Sequence, residues 1–136
     1  MEYRTLSQLM DAHPKLFKGK LPRVPSENPC GWGKIVHELC AQMESELDDA
    51  ELRKIRIEQI KEKFGALRFY YSARLSKERL LHLRALVAVA EERSKQTCHA
   101  CGQPAELATN GDWLSTYCQA CLAQPMNARY QPLDFE

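Results

Sequence analysis

Long hydrophobic runs are absent from this 136-residue chain. Its longest purely apolar stretch, residues 85–90, is far shorter than the roughly 20 residues that a helix needs to cross a bilayer. The N-terminal region lacks the basic start, apolar core and small-residue cleavage site of a secretory signal. We therefore predict a protein of the reducing cytosol with no membrane partner, in which paired cysteines bind metal rather than form disulfides.

Catalytic motifs are also missing. The chain has only four histidines, and they are widely spaced. His37-Glu38 has no second histidine four places on, as an HExxH site requires, and Pro29-Cys30 lacks the second cysteine of a nucleobase deaminase. No GxGxxG, P-loop or GxSxG motif occurs. The chain is therefore predicted not to be an enzyme.

What the chain does contain is an ordinary globular composition with an uneven distribution of charge. Its length fits one principal core with a small additional module. Residues 51–95 carry twelve Lys and Arg against six Asp and Glu, a net charge of +6. Residues 1–50 and 96–136 have net charges of −2 and −3. A basic centre therefore lies between two acidic ends.

The N-terminal third predicts two helices joined by an irregular connector. Residues 5–12 fit a short helix that ends before Pro14, because the residue before proline avoids the α region. Residues 18–33, rich in proline and glycine, form the connector. Residues 34–47 place apolar side chains at helical spacing, with Cys40 among them as a core residue. Trp32 is expected to anchor the start of this helix against the core.

The middle of the chain predicts a β-hairpin and then a long helix. Ile55 and Ile57 alternate with charged residues, and Leu67, Phe69 and Tyr71 alternate in the same way beyond Gly65. Gly65 is the residue most able to take a positive φ in the turn. Ser76 is the predicted N-cap of a helix that runs to about Lys95, with its apolar side at Leu80, Leu83, Val87 and Ala90.

Two CxxC pairs lie in the last third of the sequence. Cys98 and Cys101 form the first pair, Cys118 and Cys121 form the second, and sixteen residues separate them. A CxxC turn presents two thiolates to one ion, and zinc prefers four such ligands in a tetrahedron. The spacing fits a two-pair zinc site, and Asn110-Gly111 in the intervening segment predicts a short hairpin. We predict one Zn²⁺ bound by these four cysteines.

Other interpretations of the cysteines are less well supported. A thioredoxin-like redox pair needs a single CxxC beside a βαβ pattern, which is missing here. An iron–sulfur cluster also uses four cysteines and stays open as an alternative. His99 lies between two of the predicted ligands, but four thiolates already complete the coordination of zinc, so His99 is not predicted to be a ligand.

These patterns predict an α+β fold in which a helix, a β-hairpin and a long helix surround one small core. The predicted domains are an α+β domain at 1–96, a zinc ribbon at 97–123 and a C-terminal tail at 124–136. Four thiolates leave no open position on the zinc for water, so its predicted role is structural.

The stretch IKEKFGALRFYY is the densest cluster of charged and aromatic residues in the sequence. One interpretation is a half-buried hairpin whose polar side is simply solvated. Another is a surface that anchors a protein or stacks on bases. Ile60 shares the parity of Arg56 and would interrupt a purely basic face. The candidate partner-binding residues are Arg56, Lys61, Lys63, Arg68 and Tyr70.

The order of several motifs resembles that of a group of short uncharacterised proteins encoded mainly by phages and prophages. The resemblance rests on HPKLF, CGWGKIVHELC, QIKEKFGALRFYY and CHACG, and it covers most of residues 13–121. It implies no enzymatic activity. It implies instead a small accessory protein in the cytoplasm of a bacterial host, and for such proteins binding and redirecting a host protein is a common task.

We therefore expect a non-enzymatic, zinc-stabilised protein that binds a host protein, for example a component of defence or transcription. The alternative is a nucleic-acid-binding accessory protein that uses the basic segment 53–84. Nucleic acid is an unfavourable partner for the C-terminal segment, because four thiolates and one Zn²⁺ would take its net charge from −3 to about −5.

Overall fold

The computed structural model describes residues 6–20, 22 and 30–133 of the chain, with only the backbone of Cys30. Helices lie beside two small antiparallel sheets, one of two strands and one of three. The predicted α+β fold class is confirmed, including the cluster of four cysteines near the C-terminus. Among the described helices, none is both long and apolar enough to span a membrane.

Two short helices begin the described chain. Helix α1 (Leu6–Ala12) ends before Pro14, as the sequence predicts, and helix α2 (Pro14–Phe17) follows without having been predicted. Lys18 ends α2 in the left-handed conformation, with φ of 54°. Of the predicted connector at 18–33, residues 21 and 23–29 lie outside the described residues.

Helix α3 (Gly33–Glu46) confirms the second predicted helix. A single turn of 3₁₀ helix, Cys30–Trp32, leads directly into it. A further turn, α4 (Asp49–Leu52), was not predicted, although its capping box is visible in the sequence as Asp48 followed by Glu51. The buried side of α3 consists of Ile35, Val36, Leu39, Cys40 and Met43.

Strands β1 (Ile55–Lys63) and β2 (Ala66–Ala73) form the predicted hairpin. The two turn residues, Phe64 and Gly65, both have positive φ, of 55° and 80°. This is the two-residue turn whose twist matches that of a hairpin. Gly65 takes the positive φ as predicted, whereas Phe64 does so against the usual preference of a bulky residue.

A β-bulge at Glu58 changes which residues of β1 face the core. Ile57 pairs with Tyr71 and Gln59 pairs with Tyr70, so that Glu58 has no partner in β2. The extra residue reverses the alternation of side chains beyond it. Ile60 is therefore buried although its parity is that of Arg56. Ile60 therefore does not interrupt the basic face, although the sequence had predicted that it would.

Helix α5 (Lys77–Ser94) packs against β2 and covers the free edge of that strand. Its N-cap is Ser76, as predicted, whose hydroxyl accepts from the Arg79 amide. The Ser94 hydroxyl accepts a hydrogen bond from the Leu67 amide at 2.8 Å, and the Glu91 carboxylate accepts one from the Phe69 amide at 3.1 Å. Side chains of α5 thus satisfy backbone groups that an edge strand leaves unpaired.

The principal core lies between α3, the hairpin and α5. Trp32, Met43, Leu67 and Leu83 are among its fully buried side chains, and Cys40 is buried there as predicted. The three cysteines Cys98, Cys118 and Cys121 form a second, separate buried cluster.

The second cluster belongs to the cysteine module, the name used here for residues 97–133. Strands β3 (Glu106–Thr109) and β4 (Leu114–Tyr117) form the short hairpin predicted between the CxxC pairs. Helix α6 (Gln119–Leu122) and a 3₁₀ turn, Pro125–Asn127, follow. Strand β5 (Gln131–Pro132) then pairs with β3 inside the predicted tail, of which residues 134–136 lie outside the described residues.

Candidate metal centre

The first CxxC pair lies in a tight turn that precedes β3. The Cys98 amide donates to the Gln103 carbonyl at 2.8 Å, and the Gly102 amide donates to the Cys98 carbonyl at 2.9 Å. Gly102 has φ of 85°, a conformation that favours glycine. The residue directly after the second cysteine therefore lets the chain turn back around the two thiols.

The second CxxC pair lies at the start of α6. Cys118 is the N-cap of this helix, and its sulfur accepts a hydrogen bond from the Cys121 amide at 3.4 Å. The side-chain amide of Asn127 donates to the Cys121 carbonyl at 2.8 Å, which fixes the last turn against the helix. β4 brings this pair back to the first one.

The four sulfur atoms Cys98 Sγ, Cys101 Sγ, Cys118 Sγ and Cys121 Sγ all lie within 4.8 Å of one another. Those of Cys101 and Cys118 are 3.5 Å apart. A tetrahedral zinc with Zn–S bonds of about 2.3 Å needs sulfurs about 3.8 Å apart, so the arrangement fits such an ion. Among the described residues, no other group brings three or more His, Cys, Asp or Glu ligand atoms together in this way.

The thiols differ in how readily they lose a proton. The backbone N–H of Cys121 lowers the pKa of the Cys118 thiol to about 7. Burial raises the pKa values of Cys121 and Cys101. Several adjacent thiolates repel one another in a buried cluster, so a bound cation is the species that would stabilise all four in the deprotonated form.

His99 lies outside the group of four cysteines that could hold a metal ion. Its Nδ1 donates to the Thr116 carbonyl at 2.9 Å, and its ring packs against Tyr117 with centroids 4.6 Å apart. Nδ1 therefore carries its proton and has no lone pair free for a metal. His99 therefore connects the first CxxC turn to β4.

The CGWG segment, residues 30–33, is packed directly on the first CxxC turn. The Gly31 amide donates to the His99 carbonyl at 2.8 Å, and the indole N–H of Trp32 donates to the Thr97 carbonyl at 2.8 Å. A Cβ placed on Gly31 would lie only 2.0 Å from the Cys98 carbonyl oxygen. Trp32 thus anchors the helix start as predicted, and it also ties the principal core to the cysteine module.

The turn of the first hairpin forms a second junction with the cysteine module. The Thr116 hydroxyl donates to the Gly65 carbonyl, and a Cβ on Gly65 would lie 2.3 Å from Cδ1 of Leu107. Thr116 is fully buried although it is polar. The cysteine module is therefore held at two places, CGWG and the hairpin turn.

The five candidate partner-binding residues lie on one face of the first hairpin, opposite the core. Tyr70 pairs with Gln59 and is 40% exposed, and the Lys61 ammonium lies 5.7 Å from the centre of its ring. The Lys63 ammonium lies 5.5 Å from the ring centre of Phe64, which is 67% exposed. We call this surface the outer hairpin face, formed by Arg56, Lys61, Lys63, Arg68 and Tyr70.

A hydrogen-bonded pair of histidines was missed by the sequence analysis. His13 is buried between Glu44 and His37: its Nδ1 bonds to the Glu44 carboxylate, and its Nε2 lies 2.7 Å from Nδ1 of His37. Burial and the neighbouring His13 lower the pKa of His37. The two histidines are 24 residues apart, so no motif indicates their contact. They fasten the first turn of α2 to α3.

No family model, curated protein or solved structure matches this chain. The resemblance to phage-encoded proteins stays an interpretation of the motifs quoted above. Function is therefore inferred from the chemistry of the described surfaces.

Proposed function

We propose that the four cysteines bind a single Zn²⁺ and that the ion is structural. The observation that carries this is the mutual distance of the four sulfurs, which is close to the spacing that a tetrahedral ion requires. Four thiolates fill the coordination shell and leave no position for a reacting water. The ion holds two CxxC turns whose strands are only four residues long, too short for independent stability.

Elemental analysis of the purified full-length protein is expected to find one zinc per chain in a colourless solution. Zinc has a filled d shell, so it gives no visible absorption, whereas a four-cysteine iron–sulfur cluster is brown. Stoichiometric iron together with visible absorption would show that the four cysteines bind an iron–sulfur cluster and not zinc.

We further infer that the chain is a non-enzymatic binding protein whose outer hairpin face contacts a partner protein. Protein interfaces are enriched in Tyr and Arg, which give large contact areas and directional hydrogen bonds. Exposed Tyr70 beside Arg68, with Phe64 exposed at the adjoining turn, supports such a contact. The resemblance to phage-encoded accessory proteins supports a bacterial host protein as the partner.

The variant Arg68→Glu with Tyr70→Ala is expected to abolish partner binding while the melting temperature falls by only a few degrees. Both positions lie on the solvent side of the hairpin, where substitutions have small effects on stability. The measurement is affinity capture from nuclease-treated bacterial lysate, compared between the wild type and the variant, with melting curves of both proteins.

A matched variant places the same kinds of change on the cysteine module. Glu106→Arg with Trp113→Ala also alters one charge and one exposed aromatic, since Trp113 is 70% exposed. It is expected to retain the captured protein. If only this variant fails to capture the protein, the interface lies on the cysteine module instead. If the hairpin variant unfolds, its two positions are needed for the fold, and the outer hairpin face is not a binding surface.

Nucleic-acid binding through segment 53–84 is a second candidate function. It is supported by the bulge at Glu58, which turns Ile60 inward and leaves Arg56, Lys61 and Arg68 on one face. Phosphate contacts release counterions, so this function predicts binding that weakens steeply with salt, unlike contact with a protein through aromatic side chains.

A further inference from the structure

A basic cleft lies at the open end of the first hairpin, away from its turn. It has a volume of about 550 Å³ and lies between the end of α2 on one side and the ends of β1 and β2 on the other. Six cationic side chains and one carboxylate, Glu58, line it. The cations are Lys18, Lys20, Arg53, Lys54, Arg56 and Arg74.

These cations lie close together, with one carboxylate, Glu58, among the residues that line the cleft. The Lys18 ammonium donates to the Ile55 carbonyl, and burial, followed by the charge of Lys20, lowers the pKa of Lys18. Among the described residues, three of these cations form no ion pair with a carboxylate: Lys20, Arg53 and Arg74. A concave surface with an excess of one charge concentrates ligands of the opposite charge.

The cleft is continuous with the outer hairpin face. Arg56 belongs to both surfaces, and from it the basic side chains follow β1 to Lys63 for roughly 23 Å, at about 3.3 Å per residue. At the far end, the hairpin turn meets the cysteine module, whose charged side chains are Glu106, Asp112 and Arg129. A polyanion is therefore attracted along the hairpin, and this attraction ends at the turn.

We propose that the cleft binds the phosphodiester backbone of a single-stranded nucleic acid, which continues along the outer hairpin face and stacks a base on Tyr70. The proposal rests on the second candidate function above and gives it a location. Single strands bind where a basic groove follows the backbone and aromatic side chains offer stacking surfaces. An acidic peptide would use the cations but would have no base to place on the exposed ring of Tyr70.

The test is fluorescence anisotropy of a labelled oligothymidylate of about 12 nucleotides, a length within the usual range for single-strand sites. The full-length protein is titrated at several salt concentrations. Lys20→Glu with Arg74→Glu is expected to weaken binding at least about tenfold and to reduce the slope of log K against log salt by about 1.4. These two exposed side chains make no ion pair among the described residues, so the fold is retained.

The matched control is Lys34→Glu with Arg129→Glu, which changes net charge equally at exposed positions that do not line the cleft. Binding is measured near 0.1 M salt, where charges more than about 10 Å away are largely screened. The control variant is then expected to have an affinity within twofold of that of the wild type, a difference of roughly 0.4 kcal/mol. If both variants weaken binding equally, net charge alone governs binding. That result would contradict the proposal that the nucleic acid binds in the cleft.

Other outcomes distinguish a wrong binding site from a protein that does not bind nucleic acid at all. If the cleft variant binds as tightly as the wild type and Arg68→Glu with Tyr70→Ala does not, nucleic acid uses the outer face without the cleft. If the wild type does not bind the oligonucleotide at all, the second candidate function fails with the proposal. Full competition by polyglutamate or by inorganic tripolyphosphate would assign the cleft to an acidic peptide or to a small phosphate ligand instead.

Discussion

Replacing Cys118 with serine is expected to remove the proposed zinc ion and unfold the cysteine module while the principal core survives. A hydroxyl at this position is a poor zinc ligand, and structural zinc sites contribute about 10–16 kcal/mol to the folding of zinc-finger peptides. The buried cluster around the cysteines is small and separate from the principal core. Apart from its two junctions with the rest of the protein, the module therefore has little apolar packing of its own to keep it folded.

Three measurements check this expectation. Zinc content should fall from one per chain toward zero, and limited proteolysis should cut within residues 97–133. Circular dichroism should keep most of the signal of α3 and α5. The same pattern is expected when zinc is removed from the wild type with a chelator.

Cys40 provides the matched control, because it is a fully buried cysteine outside the ligand set. Cys40→Ala removes a core atom and should lower the melting temperature without any loss of zinc. If Cys118→Ser instead unfolds the whole chain in one transition, residues 1–96 and the cysteine module are a single cooperative unit, and the domain boundary predicted at about Gln96 is wrong.

Gly31→Ala is expected to destabilise the junction between the core and the cysteine module by about 3 kcal/mol or more. The added Cβ would lie 2.0 Å from the Cys98 carbonyl oxygen and 2.6 Å from the Gly102 amide nitrogen. Both are backbone atoms and cannot rotate away, so the first CxxC turn must shift. Overpacking of this kind costs about 1–3 kcal/mol and occasionally more.

Calorimetry and zinc analysis together identify the cause. The Gly31→Ala protein should keep one zinc per chain, because no ligand changes, yet melt well below the wild type. Gly19→Ala is the comparison: Gly19 has φ of 70° but no atom within 4 Å of an added Cβ. It should cost only the roughly 1–2 kcal/mol of a left-handed alanine. Equal effects of the two substitutions would show that the contact at Gly31 does not matter.

Sequence alone was sufficient for the features that depend on neighbouring residues. The turn within each CxxC pair, the N-cap Ser76 and the turn residue Gly65 each depend on residues only a few positions apart. The bulge at Glu58 was not predicted, although the sequence contains an indication of it. Ile60 breaks the alternation of β1, and an apolar residue out of phase in a strand is the pattern that a bulge produces.

Contacts between distant segments could not be predicted. Gly31 with His99, and His13 with His37, leave no periodicity in the sequence, since each depends on how complete elements pack. The basic cleft was missed for the same reason. Lys18 and Lys20 belong to a segment with net negative charge, and only the fold brings them beside Arg53 and Arg74.

The junction at CGWG also sets an order of events during synthesis. Gly31 and Trp32 emerge from the ribosome before their partners at residues 97–99, by roughly 3–14 s at 5–20 residues per second. α3, the hairpin and α5 are all synthesised before Thr97, so they can begin to pack while the indole N–H of Trp32 still lacks its acceptor. On the proposed role of the four cysteines, metal binding follows the packing of the core, and a chain made without that metal would fold around a tryptophan whose N–H waits for its acceptor.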